Sequence, residues 1–352
     1  MVSVNAADAL LGQVLLTGWE VIEKIDKPTG STGSFFSICY KVKRNNDICF
    51  LKALNFGAFF SCNDGKKAIT EVLTEMLDVH KYEKQLSQLC QDHHASKVSF
   101  VKESGEITLN GYTIGLVPYL IFELADGDVR NLIDFSKKLD VTWRLKSLHE
   151  IAVGINQLHK INISHQDLKP SNILLFCNET KIGDLGRSLC SDIKSPYELL
   201  PFTGDFNYAP PEIIYDYHDK DWKKRAFAID TYLLGSLIVF YFTGISMTAL
   251  LMKNLDDSFK PPHWSGTFDV VKPYLIDAFS KSLEEFYHGI ESDELKIDLK
   301  DLVQQLCYPL PEIRGHRKNV NTINHYGLDR FITKLDILNK KSICNLYRLN
   351  NG

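Results

Sequence analysis

Residues 165–176 read His165-Gln166-Asp167-Leu168-Lys169-Pro170-Ser171-Asn172, followed by the apolar run Ile173-Leu174-Leu175-Phe176. A second acid, Asp184, follows within Lys181-Ile182-Gly183-Asp184-Leu185-Gly186. Two β-prone pieces flanking a polar turn predict a loop, a short hairpin and a second loop. Two carboxylates, an amide and an ammonium converge on this stretch. That set suits phosphoryl transfer. One carboxylate can accept a hydroxyl proton, an amide and a second carboxylate can hold Mg2+, and a lysine can steady the moving phosphoryl group.

Around this stretch the totals are ordinary. The 352 residues are enough for two lobes or two modest domains. A hydrophobic content of 44% and a charged content of 24% fit a globular chain. The net charge of −4 gives no support for a nucleic-acid partner. Cys39, Cys49, Cys62, Cys90, Cys177, Cys190, Cys307 and Cys344 include no C-x-x-C pair, so they are expected as reduced thiols in a cytoplasmic protein. Met1 to Leu16 has no basic leader and carries Asp8, and no signal peptide is expected. Phe227 to Ile245 is nearly all apolar and close to membrane-spanning length, but it contains Asp230.

Upstream, Trp19 to Phe56 alternates apolar and polar residues, which predicts antiparallel strands. Within it, Gly30-Ser31-Thr32-Gly33-Ser34-Phe35-Phe36-Ser37-Ile38 places small residues between two strands, where backbone N–H groups can approach phosphates closely. Ile48 to Leu54 is a strand with Lys52 inside its apolar run, and such a lysine needs a partner. Lys67 to Cys90 is a long helix whose stripe is Ile69, Val72, Met76, Val79, Leu86 and Cys90. Glu83 falls in that stripe and must find a cation, whereas Glu71 and Glu75 lie towards the polar side. Glu83 is therefore the expected partner of Lys52, with Glu75 as the alternative. Thr108 to Leu124 predicts two strands separated by a bend at Pro118, and Asp126-Gly127-Asp128 predicts a turn. Trp143 to His159 is amphipathic, and 184–212 is irregular and rich in Ser, Pro and Gly. No internal repeat is apparent.

These motifs together resemble the eukaryotic-like serine/threonine protein kinases. His165 to Asn172 resembles the family's catalytic loop, His-Arg-Asp and then Asn, and Asp184-Leu185-Gly186 resembles its metal-binding Asp-Phe-Gly. The glycine-rich loop matches in part: Gly33 fits the second glycine, while Ser31 and Phe36 stand where the first and third would be. Lys52 and Glu83 resemble the ion pair between strand lysine and helix glutamate, with an extra segment at about 55–67. Tyr119 to Ala125 resembles the last small-lobe strand and the hinge, which makes Phe122 the gatekeeper. Gly204-Asp205-Phe206-Asn207-Tyr208-Ala209-Pro210-Pro211-Glu212 resembles the close of an activation segment, with Asp205 in a threonine place and Pro210 in an alanine place. In the family, the residues matching Asp230 and Arg314 anchor the catalytic loop and pair with the equivalent of Glu212. The resemblance covers about Trp19 to Arg317, with every motif in family order.

The resemblance implies an α+β, bilobal protein kinase-like fold, with a small antiparallel β lobe bearing one main helix and a larger, mostly helical lobe. Residues 1–18 would be an N-terminal extension, 19–125 the nucleotide-binding lobe and 126–345 the catalytic and substrate-binding lobe, with Phe227 to Ile245 as its buried central helix. ATP and Mg2+ are implied. Asp167 would accept or orient the substrate hydroxyl and Lys169 would stabilise the transferred phosphoryl group. Asn172 and Asp184 would hold the metal. Gly30, Gly33, Lys52 and Glu83 would serve the phosphates, Glu123 and Ala125 the adenine, and Asp128 the ribose. Lys169, two residues after the aspartate, resembles the serine/threonine rather than the tyrosine kinases. The implied activity is phosphorylation of Ser and Thr in proteins, autophosphorylation included, with neither a nucleic-acid nor a membrane partner and no oligomeric state specified. A kinase-like small-molecule phosphotransferase and a pseudokinase scaffold are the alternatives. Two departures stand out. Gln166 replaces the arginine that commonly pairs with an activation-loop phosphate, so activity is expected without one. Asp205 replaces a hydroxyl that usually contacts Asp167 and Lys169, and two neighbouring carboxylates repel unless Lys169 bridges them.

Overall fold

The computed structural model describes residues 5–26, 36–58, 67–135 and 140–351. The chain forms two compact units, one made of 1–94, 98–126 and 184–186 and the other of 95–97, 127–183 and 187–352.

The first unit is built on an antiparallel sheet of five strands: β1 (Glu20–Ile25), β2 (Ser37–Arg44), β3 (Asp47–Leu54), β4 (Val101–Thr108) and β5 (Leu116–Glu123), in the order β1-β2-β3-β5-β4. Alternation decides its two faces. Tyr40 and Val42 of β2, Cys49, Leu51 and Ala53 of β3, and Tyr119 and Ile121 of β5 all join one buried cluster. The β2–β3 hairpin closes at Arg44 opposite Asp47, and Asn45 takes the left-handed φ of 57° that so short a turn requires.

The segment expected as an extension is part of this unit. Ala6, Ala7, Leu10, Leu15 and Trp19 are buried in the same cluster. The Tyr40 hydroxyl donates to the Ala7 carbonyl at 2.7 Å, and the Leu15 N–H donates to the Trp19 carbonyl at 2.8 Å. The segment thus seals the apolar face that alternation leaves on β2, β3 and β5. Each large side chain so buried stabilises the fold by about 1.5–3 kcal/mol.

Two sequence expectations are corrected here. Pro118 does not separate two strands; it lies inside β5, and the break falls at 109–115, where Gly111 has φ of 87°. Pairing with β3 ends at Tyr119, so Pro118, opposite Glu106 of β4, has no β3 neighbour to which it owes an N–H. In helix α1 (Ile69–Asp92), Ile69 is exposed, and the buried face is Val72, Met76, Tyr82, Glu83, Leu86, Ser87 and Cys90. The first turn of a helix carries its stripe only if something packs there.

The second unit is mostly helical. It begins with β6 (Gly127–Asp128) and α2 (Val129–Phe135), followed by α3 (Val141–Lys160) and β7 (Ile163–Ser164). The expected hairpin is β8 (Ile173–Phe176) with β9 (Glu179–Ile182), in register Ile173 to Ile182, and β10 (Leu189–Cys190) pairs with β7. Then come α4 (Pro211–Ile214), α5 (Trp222–Thr243), α6 (Met247–Asn254), α7 (Phe268–Gly289), α8 (Asp293–Leu306) and α9 (Asp329–Asn351). The Asp221 carboxylate caps the start of α5 by accepting from the Lys224 N–H, and Gly244 ends it with φ of 77°. By composition α5 is long and apolar enough to cross a membrane, but 83% of its apolar window is buried inside the protein, as expected of a core helix. Residues from α3, α6, α7, α8 and α9 share its hydrophobic cluster.

Candidate active site

In the first unit, strand β3 places Lys52 between Cys39 of β2 and Leu120 of β5. Its Nζ lies 2.8 and 3.0 Å from the two Glu83 oxygens and 2.9 Å from Asp184 Oδ1. Glu83 is only 5% exposed, at the middle of the buried face of α1. Glu75 instead meets Lys67 at the surface, so Glu83 is the partner of Lys52. Burial alone would lower the Lys52 ammonium, but the charges of Asp184 and Glu83 outweigh it and hold the lysine above its ordinary value. Burial pushes the Glu83 carboxyl upward against the pull of Lys52. With two carboxylates around one ammonium, the proton stays on the lysine. His80, one turn before Glu83, is pushed down to about 4 by burial and by Lys52 and Lys84, so it is neutral at pH 7. Gly186 packs closely beneath this pair, since a Cβ there would stand 3.2 Å from Glu83 Oε2 and 3.3 Å from Asp184 Oδ1.

Along the same face of the sheet as Lys52, Phe50 and Phe122 sit directly opposite each other, with ring centroids 6.3 Å apart. Phe50 stands where the family motif Val-Ala-Ile-Lys has alanine. The register also shows which β2 side chain faces Lys52. Ile38 packs against the buried cluster on the other face, and Cys39 is the residue across from the lysine. Gly30 and Gly33 lie outside the described residues. Glu123 ends β5 and is exposed, and Ala125 is half-buried just beyond it.

In the second unit, the loop between β7 and β8 gathers Asp167, Lys169 and Asn172, all largely buried. Asn172 Nδ2 donates to the Asp167 carbonyl at 2.8 Å and to its Oδ2 at 3.1 Å. Lys169 Nζ lies 3.1 Å from Asp167 Oδ2 and 3.6 Å from Asp205 Oδ2. The Asp205 N–H donates to Asp167 Oδ1 at 2.9 Å. The expected lysine bridge between the two acids is therefore present. Gly204 makes it possible, because a Cβ there would stand 2.1 Å from the Gln166 carbonyl oxygen.

The loop's shape is imposed from beneath. Asp230, fully buried in α5, accepts from the His165 N–H at 2.8 Å, the Gln166 N–H at 2.9 Å and His159 Nε2 at 2.9 Å. Burial would raise this carboxyl, but the hydrogen bond and charge of His159 and the Gln166 N–H hold it below its ordinary value. These bonds keep Gln166 at φ of 67°, a left-handed conformation that a side-chain-bearing residue adopts at a cost. His165 Nε2 lies 2.9 Å from the Gly183 carbonyl, which can only accept, so Nε2 carries the proton and Nδ1 accepts from the Asp167 N–H. Gln166 is fully buried and donates inward to Ser164 Oγ and the Ala226 carbonyl. Arg314, also fully buried, grips Glu212 with Nη1 at 2.5 Å and Nη2 at 2.7 Å. Asp128 caps α2: its two oxygens accept from the Asn131 N–H and side-chain amide, and a ribose would have to share them.

Sequence reasoning missed His159, Gly204 and Cys39. The first two had a visible signal, a histidine at a helix end six residues before His165 and a glycine beside the Asp205 departure. Cys39 had none, because the pairing register alone selects it.

A protein kinase domain model matches residues 33–320. The chain belongs to the protein kinase family. Its relatives include a probable serine/threonine-protein kinase of Encephalitozoon cuniculi, 36% identical over 125 residues, which is 35% of this chain and 21% of that one. An Aurora kinase of Debaryomyces hansenii is 30% identical over 128 residues, 36% of this chain and 30% of the relative. The hormonally up-regulated neu tumor-associated kinase homolog A of Xenopus laevis is 24% identical over 325 residues, 80% of this chain and 44% of the relative. The chain thus spans less than half the length of these curated relatives.

Proposed function

We propose that the chain is a protein kinase that transfers the γ-phosphoryl group of ATP, with Mg2+, to Ser and Thr hydroxyls of proteins, its own included. The observation that carries this is the set Asp167, Lys169 and Asn172, tied together by hydrogen bonds on a loop anchored to Asp230. Asp167 takes the proton of the acceptor hydroxyl as its oxygen bonds to phosphorus and the bond from phosphorus to the β-phosphate oxygen breaks. Lys169 offsets the charge on the moving group. Lys52, held in place by Glu83, contacts the α- and β-phosphates. Positioning and electrostatics supply the rate.

Asn172 and Asp184 suit Mg2+. Both offer oxygen donors of the hard kind this ion takes, and the Asn172 amide nitrogen is already committed to Asp167, which leaves its carbonyl oxygen for a metal. Bound there, Mg2+ would neutralise phosphate charge. The Ser/Thr preference is supported by Lys169 and by the probable serine/threonine-protein kinase of Encephalitozoon cuniculi among the relatives. A cytoplasmic setting with protein acceptors is part of this proposal, and the scattered cysteines of the sequence, with no C-x-x-C pair, are consistent with it.

The test is transfer of label from γ-labelled ATP and Mg2+ to the protein itself and to a general acceptor such as casein, followed by phosphoamino-acid analysis. Labelled phosphoserine or phosphothreonine, abolished in Asp167→Asn, is the expected result. Label on a small acceptor alone would support the small-molecule phosphotransferase, and no transfer with intact fold the pseudokinase scaffold.

A further inference from the structure

Alternation divides strand β3 between two faces. Cys49, Leu51 and Ala53 enter the buried cluster on one side, which puts Phe50, Lys52 and Leu54 on the other. Leu54 is packed with Phe56 and with Val72 and Met76 of α1, so that end of the face is closed. The other end is open. Phe50 is half-buried, as is Phe122 opposite it on β5, and their rings lie 6.3 Å apart at 55°. Lys41, across from Phe50 on β2, is turned away to the Glu23 carboxylate at 2.9 and 3.0 Å. Two residues of strand set Phe50 roughly 6.7 Å from Lys52, much the length of the ribose that joins a base to its α-phosphate.

We propose that Phe50 is a specificity-determining residue for the nucleotide: the base stacks on its ring, and the site takes ATP and GTP alike. This rests on the kinase reading above, in which Lys52 holds the phosphates. With the phosphates there and the Leu54 end closed, the base lies towards Phe50. A ring holds a base through its π face, which every base has, and not through the donors and acceptors on the base's edge. The side chains that face Lys52 and Phe50 from the neighbouring strands, Cys39, Leu120 and Phe122, bring no amide or carboxylate to read that edge. Stacking therefore supplies affinity without separating adenine from guanine.

The experiment measures binding by calorimetry, with Mg2+, of non-hydrolysable ATP and GTP analogues and of inorganic tripolyphosphate, which has no base. Casein labelling from γ-labelled ATP and GTP is the separate measure of kinase activity. For the parent protein the two analogues should bind within about threefold of each other, and each about tenfold or more tighter than tripolyphosphate. Phe50→Ala, checked for a normal melting temperature, should weaken both analogues by about tenfold and leave tripolyphosphate unchanged. Phe50→Leu keeps an apolar side chain but no flat face, and should lose most of the same affinity. A parent that prefers the ATP analogue by more than about tenfold overturns the proposal, because edge recognition then outweighs stacking. So does a Phe50→Ala protein that binds the analogues as tightly as the parent or more tightly, because the ring is then idle or an obstacle. Either result beside labelled casein leaves the kinase reading standing. Absence of labelling from both nucleotides overturns the kinase reading, and tripolyphosphate that fails to bind removes the phosphate site on Lys52 and this proposal with it.

Discussion

The anchor beneath the catalytic loop can be tested by replacing Asp230 with asparagine. The carboxylate is fully buried and accepts three hydrogen bonds of 2.8–2.9 Å. An asparagine can place its oxygen where Oδ2 was, still facing the His165 N–H and His159. Those two bonds drop from charge-assisted to neutral strength, a loss of about 1–1.5 kcal/mol each. Its NH2 then faces the Gln166 N–H, donor against donor, and leaving that buried donor unsatisfied costs about 1–3 kcal/mol more. The expected destabilisation is about 3–6 kcal/mol, read as a lower urea midpoint at unchanged slope. Turnover should fall by more than tenfold, because Gln166 no longer has the bond that holds its left-handed backbone and Asp167 follows it. A pH signature accompanies this. The Asp230 carboxyl is held below its ordinary value in the fold, so its contribution is complete above about pH 4 and is lost as pH falls through the depressed value. That part of the acid limb should be missing in Asp230→Asn. A loss under about 1 kcal/mol, with the acid limb of the parent retained, would refute the account of the loop as imposed from α5.

Three further outcomes are expected. Arg314→Met should lower stability by about 3–5 kcal/mol, because Glu212 is left buried with its charge unpaired, and Arg314→Met with Glu212→Met should recover much of that in the same urea assay. Gly204→Ala should cut kcat by about a hundredfold with little change in nucleotide binding, since its Cβ would collide with the Gln166 carbonyl and displace Asp205 from Asp167. Treatment with phosphatase should leave the rate unchanged, because Gln166 is neutral, fully buried and turned inward to Ser164 and Ala226; a collapse in rate would show that a phosphate on 184–212 is required.

How much could be read in advance followed the range of the interaction. The order of motifs along the chain was enough for the fold class, and charge placement on one helix was enough for Glu83, since a carboxylate in an apolar stripe must have a cation. The β8–β9 hairpin was legible from two β-prone runs about a polar turn, whereas the Glu212–Arg314 pair, 102 residues apart, was legible only through the family resemblance. What could not be read depended on register and on distant packing. Pro118 reads as a breaker unless its neighbouring strand is known to end first. Ile69 reads as core unless the first turn of α1 is known to stand clear. The alternation that puts Cys39 rather than Ile38 beside Lys52 reverses with a one-residue slip, and only the paired strands decide it.

The borders of the family and of the folded body do not coincide. The span shared with other kinases opens at residue 33 and closes at 320. Leu10, Leu15 and Trp19 before it, and Leu328, Phe331, Leu335 and Leu338 after it, are nonetheless inside the two hydrophobic clusters. A fragment trimmed to the recognisable homology would bare Tyr40, Val42 and Leu51 at one end and the α3 side of the helical core at the other, and such patches drive aggregation. Anyone cutting this enzyme down for crystallisation or inhibitor screening should spare both flanks, whose sequences look dispensable.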